Sequence, residues 1–186
     1  KPVIKVDLNF SGRNEAEVHE LGYTSWPLPS GTTAQKTIDG IQFSLKGNFT
    51  SDWYKAGVQA PFYAKLVNDG ITAKGPVELI ITGLKEGNHT LLSFHNSFSQ
   101  NTAAVPTQMS IYVDGKLAMD KLAPSTRAEH TTQSQLAYLT LQAKAGVPVV
   151  IRFQANEGAS FSINGFELNT PNLAKQAKMP LPVDAD

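Results

Sequence analysis

The sequence contains no cysteine, no cluster of basic residues and no long hydrophobic run. Without cysteine, neither a disulfide framework nor a thiolate metal site can form. The 16 Lys and Arg residues balance 16 Asp and Glu residues, and no three basic residues are consecutive. This pattern argues against electrostatically driven binding to nucleic acid or to an anionic membrane. No segment approaches the roughly 18 consecutive apolar residues of a membrane-spanning helix, so no membrane span is predicted.

Long helical periodicity is also nearly absent, and short alternating segments bounded by Gly and Pro take its place. Residues 3–10 (VIKVDLNF) alternate apolar and polar side chains, which predicts an opening strand. Residues 15–20 could form one short helical turn. Regularly spaced strands without an internal repeat indicate an all-β sandwich, and the 186-residue length suits one domain over residues 1–168.

The most strongly patterned stretch covers residues 75–96 (GPVELIITGLKEGNHTLLSFHN). It predicts two strands joined by a tight Gly-bounded turn, as in a β-hairpin. The second strand ends in His95 and Asn96, where a loop could present both side chains to a ligand. The phenylalanines at alternating strand positions are assigned to the core: Phe43, Phe94, Phe153, Phe161 and Phe166.

The first half of the chain contains two aromatic-rich segments that lack clear strand alternation. Residues 22–31 hold Tyr23 and Trp26 among Pro and Gly residues, which predicts a loop. Residues 47–60 read as irregular around Trp53 and Tyr54. The sequence Asn68-Asp69-Gly70 predicts a turn.

The last 18 residues, 169–186, contain three prolines and no strand alternation. They predict a linker towards a further domain of the same chain, with a disordered terminus as the alternative. The first residue is Lys1 rather than Met, which suggests a processed or excised piece whose targeting segment is not in view.

Several short motifs together resemble a malectin-type, galactose-binding-like jelly roll. They are the opening VDLNF (6–10), ITGLKEGNHTLLSFHN (81–96), IYVDGKLAMDKL (111–122), VPVVIRFQA (147–155) and the closing FSINGFEL (161–168). The resemblance implies a non-catalytic carbohydrate-binding module of a secreted bacterial polysaccharide-degrading protein. The expected location is therefore secreted, periplasmic or at the cell surface, and the expected ligand is a polysaccharide or oligosaccharide.

Sugar binding uses flat aromatic faces for the C–H side of a pyranose and polar groups for its hydroxyls. The predicted ligand-binding residues are Tyr23, Trp26, Trp53, Tyr54, Asp69, His95 and Asn96. A structural role remains open for several of them, since Trp26 could fasten a loop to the sandwich, Trp53 could plug the core, and His95 and Asn96 could cap a strand.

An enzymatic function has little support in the sequence. The four histidines have no metal-binding spacing, and no nucleophile elbow or phosphate-binding loop is present. No cofactor is predicted except a structural Ca²⁺, for which Asp7, Asn9, Asp39 and Glu167 are the candidate ligands. The alternative to sugar binding is a spacer domain that orients a neighbouring catalytic domain. An open cleft lined by Trp26, Trp53 and Tyr54 would favour binding, and burial of these rings would favour the spacer.

Overall fold

The structure, a computed structural model, describes residues 1–56, 63–99, 107–156 and 158–171. This part of the chain folds into two packed β-sheets, which confirms the predicted all-β sandwich. It contains one short α-helix, α1 (Glu15–Val18), and one turn of 3₁₀ helix over Thr131–Gln133. The strands are β1 (Ile4–Phe10), β2 (Thr24–Leu28), β3 (Gly31–Ile38), β4 (Ile41–Trp53), β5 (Asp69–Ala73), β6 (Val77–Thr82), β7 (Gly87–Ser97), β8 (Met109–Val113), β9 (Lys116–Leu122), β10 (Ser125–Thr126), β11 (Gln135–Ala143), β12 (Val149–Ala155), β13 (Phe161–Ile163) and β14 (Gly165–Leu168).

The first sheet has the order β10–β7–β14–β1–β2, with β11 pairing along the length of β7. The second sheet has the order β13–β5–β4–β6–β12–β8–β9, with β3 pairing β4. Strand β4 is long enough to pair with β6 through its first half and with β5 through its second half. Because its last residue, Trp53, lies opposite Asp69, the end of β4 stands beside the start of β5.

Strands β6 and β7 do not form the predicted hairpin. Strand β6 pairs with β4 and β12 in one sheet, whereas β7 pairs with β11 and β14 in the other. The connection after Gly83 therefore carries the chain from one layer of the sandwich to the other. Leu84 in this connection is 8% exposed and belongs to the main core, so the core itself holds the crossing in place.

The predicted loop over residues 22–31 contains a strand. Strand β2 runs parallel to β1, with Trp26 opposite Leu8 in the register. Proline is tolerated in it because β2 lies at the edge of its sheet, where an N–H can remain unpaired. Trp26 is buried in the main core.

All five predicted phenylalanines are buried. Four of them lie in the main core between the sheets, Phe43, Phe153, Phe161 and Phe166, whereas Phe94 belongs to a second cluster. The rings of Phe43 and Phe166 lie 5.2 Å apart and join the two layers. A second apolar cluster includes Tyr54, Leu66, Leu92 and Phe98 and covers the outer side of the first sheet. These two clusters support opposite faces of β7, since its side chains alternate between them.

The predicted turn at residues 68–70 is instead the start of a strand. Asn68 precedes β5, and Asp69 and Gly70 are its first two residues. Gly70 has φ 143°, and a Cβ there would lie 2.3 Å from the carbonyl oxygen of Ile163. Glycine is required at this position because two backbones meet without room for a side chain.

The closing motif forms two strands instead of one. Strand β13 pairs with β5 in the second sheet, and after Asn164 strand β14 pairs with β1 and β7 in the first. Of the predicted linker, residues 172–186 lie outside the described residues. Helix α1 has four residues, and no helix in the described part of the chain is long and apolar enough to cross a membrane.

Candidate functional site

A cleft of about 690 Å³ lies between helix α1 and the end of strand β4. Its lining combines an aromatic ring, three cationic side chains, one carboxylate and one amide: Arg13, Ala16, Glu17, Trp53, Lys55, Ala56, Lys65 and Asn68. A few polar groups around an aromatic surface are the usual composition of a small-ligand site.

Two side chains from the segment before β5 hold the short helix at the cleft. Lys65 Nζ donates to the Ala16 carbonyl oxygen at 2.7 Å, and Asn68 Nδ2 donates to that of Glu17 at 3.4 Å. A four-residue helix gains little from its own hydrogen bonds. Its position is therefore set by these tertiary contacts and by Val18, which is buried.

Trp53 is the one predicted ligand-binding aromatic that lines this cleft. It is partly exposed at the end of β4, and the Arg13 guanidinium carbon lies 4.1 Å from the centroid of its ring. This is a cation–π contact, which fixes Arg13 relative to the ring.

Asn68 presents an acceptor with no partner among the described residues. The residue is 2% exposed and lines the cleft, and its Oδ1 has no hydrogen bond while its Nδ2 binds Glu17. A buried amide oxygen without a donor costs free energy, and a hydroxyl donor in the cleft would remove that cost.

Tyr54 and Asn96, both predicted to bind ligand, belong to a buried hydrogen-bond network. Asn96 Nδ2 donates to the Tyr54 hydroxyl and to the Val67 carbonyl oxygen, each at 2.9 Å. The Tyr54 hydroxyl donates to the Ala128 carbonyl oxygen, and Asn164 Oδ1 accepts from the Asn96 N–H at 2.7 Å. Burial raises the pKa of Tyr54 to about 12. Both side chains are therefore buried, and their polar groups are already paired inside the protein.

His95 is also fully buried and is held as a neutral ring. Its Nδ1 donates to the Ser162 carbonyl oxygen at 2.9 Å, which leaves Nε2 to accept from the Ser93 hydroxyl at 2.7 Å. Burial lowers the pKa of His95 to about 4. Its polar atoms face these partners and not an open loop, so the expected exposed position of His95 is corrected.

The remaining two aromatic candidates are separate from the cleft. Trp26 is 4% exposed in the main core, so it has no free face for a sugar. Tyr23 is half-buried, and its hydroxyl donates to Glu167. Burial and this negative neighbour raise the pKa of Tyr23. Trp26, Trp53 and Tyr54 thus do not line one open cleft, and only Trp53 keeps the expected position.

Asp69 belongs to a buried cluster of oxygen atoms behind the cleft. One amide position of Asn9 lies 3.0 and 3.1 Å from the two carboxylate oxygens of Asp7, 3.1 Å from the Val18 carbonyl oxygen and 3.3 Å from Asp69 Oδ2. Asp7, Asn9 and Asp69 are each at most 1% exposed. Asp69 Oδ1 has no hydrogen-bond partner among the described residues.

Both carboxyl groups of this cluster are harder to ionise than usual. Burial raises the pKa of Asp7 to about 7, against a hydrogen bond from His19 that favours the charged form. Burial and the neighbouring charge of Asp7 raise the pKa of Asp69 well above its usual value, although the Phe10 N–H donates to its Oδ2 at 2.8 Å. A positive charge among these oxygens would offset the free-energy cost of ionising the two buried carboxyl groups.

The oxygen cluster fits a calcium ion in chemical terms. Ca²⁺ takes carboxylate, amide and backbone carbonyl oxygens, which are the groups that Asp7, Asp69, Asn9 and Val18 supply. No group of three His, Cys, Asp or Glu residues is placed for a metal within the described ranges, so the amide and carbonyl oxygens are needed. The alternative is a rotated Asn9 amide whose nitrogen donates to the carboxylates.

The other two predicted calcium ligands lie elsewhere. Asp39 is exposed in the turn between β3 and β4, where it has φ 50°. Glu167 accepts from the Tyr23 hydroxyl and from Thr170 Oγ1, the latter at 2.8 Å. Asp39 and Glu167 therefore lie apart from the buried oxygen cluster.

Arg13, Glu17, Lys65 and Asn68 were not identified from the sequence as site residues. The sequence pattern places Asn68 only in a predicted turn and gives no signal for Arg13. Their convergence with Trp53 depends on the pairing of β4 with β5, which the linear pattern does not show.

A larger cleft of about 880 Å³ lies where β4 crosses from β6 to β5. Its lining is mostly Gly, Ser and Thr, and its aromatic side chain, Phe49, is 5% exposed. It therefore lacks an accessible ring, and the cleft at Trp53 is the stronger candidate.

The sequence matches no family model and no curated protein. The fold is similar to that of the protein YxiM from Bacillus subtilis, with a TM-score of 0.49 and 11% identity over 91% of this chain and 40% of that chain. The extracellular domain of ANXUR1 from Arabidopsis thaliana has a TM-score of 0.47 and 12% identity, over 89% of this chain and 46% of that chain. A family 35 carbohydrate binding module from Clostridium thermocellum has a TM-score of 0.40 and 12% identity, over 74% of this chain and 98% of that chain. This chain thus spans less than half the length of the first two.

Proposed function

We propose that this chain is a non-catalytic carbohydrate-binding module, part of a secreted bacterial protein that degrades polysaccharides. The observation that supports it is the cleft of about 690 Å³, whose lining includes the partly exposed Trp53 ring and Asn68, a residue whose buried Oδ1 has no partner among the described residues. A pyranose offers an apolar C–H face and several hydroxyl donors, so one sugar unit can use both features together.

The carboxyl groups of this region favour binding without catalysis. Glycoside hydrolysis needs two carboxyl groups flanking the scissile bond. Asp7 and Asp69 have the raised pKa expected of a general acid, but both are 0% exposed and cannot reach a sugar in the cleft. Glu17 is the one carboxylate in the lining.

The experiment is affinity gel electrophoresis of this chain against plant, algal and host polysaccharides, with Trp53→Ala as the test variant. Loss of the aromatic contact should weaken binding at least about tenfold. Tyr63→Ala is the matched control, since Tyr63 is 57% exposed and lies outside the cleft lining. Cooperative thermal unfolding of both variants shows that the fold is retained.

A spacer domain that orients a catalytic neighbour is the second candidate. It is favoured by the burial of Trp26, Tyr54, Asp69, His95 and Asn96 as structural groups. Retention on no polysaccharide either with saturating calcium or without it, or retention that Trp53→Ala leaves unchanged, would replace the proposed binding role with this one.

We also propose that Ca²⁺ binds among Asp7, Asn9, Asp69 and the Val18 carbonyl oxygen as a structural ion. Support comes from four oxygen atoms within 3.3 Å of one amide position and from the unpartnered Asp69 Oδ1. The ion would supply the positive charge that these two buried carboxyl groups lack.

A further inference from the structure

The cleft at Trp53 carries positive charge in a chain that is neutral overall. Its lining holds three cations, Arg13, Lys55 and Lys65, against one anion, Glu17, which gives the lining a formal charge of +2. Glu20, outside the lining, offsets part of the Lys65 charge, so Arg13 and Lys55 carry the excess. The whole chain has 16 basic and 16 acidic residues. The excess is therefore a property of this site, where a partly enclosed surface strengthens the attraction of an anion.

Two of these cations are available to a ligand. Arg13 and Lys55 are exposed, and neither forms an ion pair with another residue in the described part of the chain. Lys65 instead donates to the Ala16 carbonyl oxygen and so contributes its charge from the cleft wall.

The contact with Trp53 prepares Arg13 for an anionic group. A guanidinium stacked on an aromatic ring keeps its N–H donors around its own edge, where they match the two oxygens of a carboxylate. Holding the guanidinium 4.1 Å from the ring centroid also reduces the side-chain freedom that binding would otherwise remove.

We propose that the cleft selects acidic sugars, with Arg13 and Lys55 binding the anionic group while the sugar ring packs against Trp53 beside the Arg13 guanidinium. This inference rests on the proposed carbohydrate-binding function and specifies its ligand class. The shared chemistry is an anion carried on a pyranose, either a uronate carboxylate or a sulfate ester.

The test compares polymers that share a backbone and differ in charge. Polygalacturonate is paired with its fully methyl-esterified form, and a sulfated galactan with its desulfated form, each titrated by calorimetry at low and at 0.5 M salt. Binding to an acidic member at least tenfold tighter than to its neutral partner supports the inference, and the pair that shows it identifies carboxylate or sulfate.

The variants are Arg13→Gln and Lys55→Gln, with Lys116→Gln as the control on an exposed hairpin residue outside this cleft. Loss of one charge-assisted contact should weaken binding to the acidic polymer about 10- to 100-fold and leave the neutral polymer unaffected. Lys116→Gln should bind like the parent chain. Because Arg13 and Lys55 are exposed, both variants should unfold at the parent temperature.

Equal affinity for the charged and neutral members would overturn the acidic-sugar inference and leave the carbohydrate-binding function standing. Binding of the acidic polymers that 0.5 M salt abolishes and Trp53→Ala leaves unchanged would show ion exchange at the surface, which also overturns it. No binding to any of the four polymers, together with no hit in the wider polysaccharide screen, would refute the proposed function itself.

Discussion

Replacement of Asn164 by alanine should be among the most destabilising single changes in this protein. Asn164 is fully buried where the chain crosses between the sheets. Its Nδ2 lies 3.0–3.1 Å from the carbonyl oxygens of Val67, Asp69 and Asn96, and its Oδ1 accepts from the Asn96 N–H at 2.7 Å. Two donated bonds and one accepted bond would be lost together, because an amide has two N–H donors to share among the three carbonyls.

Each buried polar group left unpaired costs about 1–3 kcal/mol. Water that enters the vacated space can recover part of this, so we expect a loss of about 3–5 kcal/mol in the free energy of unfolding. That is a large share of the roughly 5–15 kcal/mol that stabilises a typical domain. Urea denaturation followed by tryptophan fluorescence measures the change, with Asn48→Ala, at an exposed position of β4, as the control. A loss below about 1 kcal/mol for Asn164→Ala, similar to the control, would refute the view that this side chain joins the layers.

Two further predictions concern protons and calcium. Since the folded pKa of His95 is about 4 against an ordinary 6.5, its stability contribution is present above pH 6.5 and is lost as the pH falls towards 4. The parent chain should lose about 3 kcal/mol relative to His95→Gln over that range, measured by urea denaturation at each pH, and a constant difference would contradict this. Calcium at about 100 times its dissociation constant should add about 2.7 kcal/mol to the free energy of unfolding. The melting temperature should then be about 5–10 °C higher than that of the protein in a calcium chelator. Asp69→Asn should abolish this shift and the control Asp39→Asn should keep it; no shift in the parent chain would favour a rotated Asn9 amide instead.

The individual strands could be predicted because each one carries its own signal. The alternation in residues 3–10 gives β1, and Asp114-Gly115 gives the turn between β8 and β9, where both residues have positive φ. The partners of the strands could not be predicted in the same way. The apolar faces of β6 and β7 suit a hairpin and a crossing between layers equally well, and the choice depends on distant strands such as β12 and β14.

The candidate site was predicted in part for a related reason. An aromatic or polar residue beside Gly and Pro can line a loop or complete a core, and its burial depends on which strand lies next to it. Trp26 is buried because β2 pairs in parallel with β1, and Asn96 is satisfied because Asn164 lies next to it. Trp53 is accessible because β4 ends there. None of these neighbours is close in sequence, so composition alone could not separate binding residues from structural ones.

The cleft and the proposed calcium site are built from the same two segments. Glu17 and Asn68 line the cleft, while the next residue in each segment, Val18 or Asp69, supplies oxygen atoms to the buried cluster. An ion that holds the Val18 carbonyl and the Asp69 carboxylate would therefore also fix the cleft wall that a sugar must contact. Two sites that order the same segments favour each other's occupancy by the same free energy in both directions. A weak sugar affinity measured in a chelating buffer would then reflect a cleft wall that is not ordered, so binding has to be compared at saturating and at zero calcium before the spacer function is accepted.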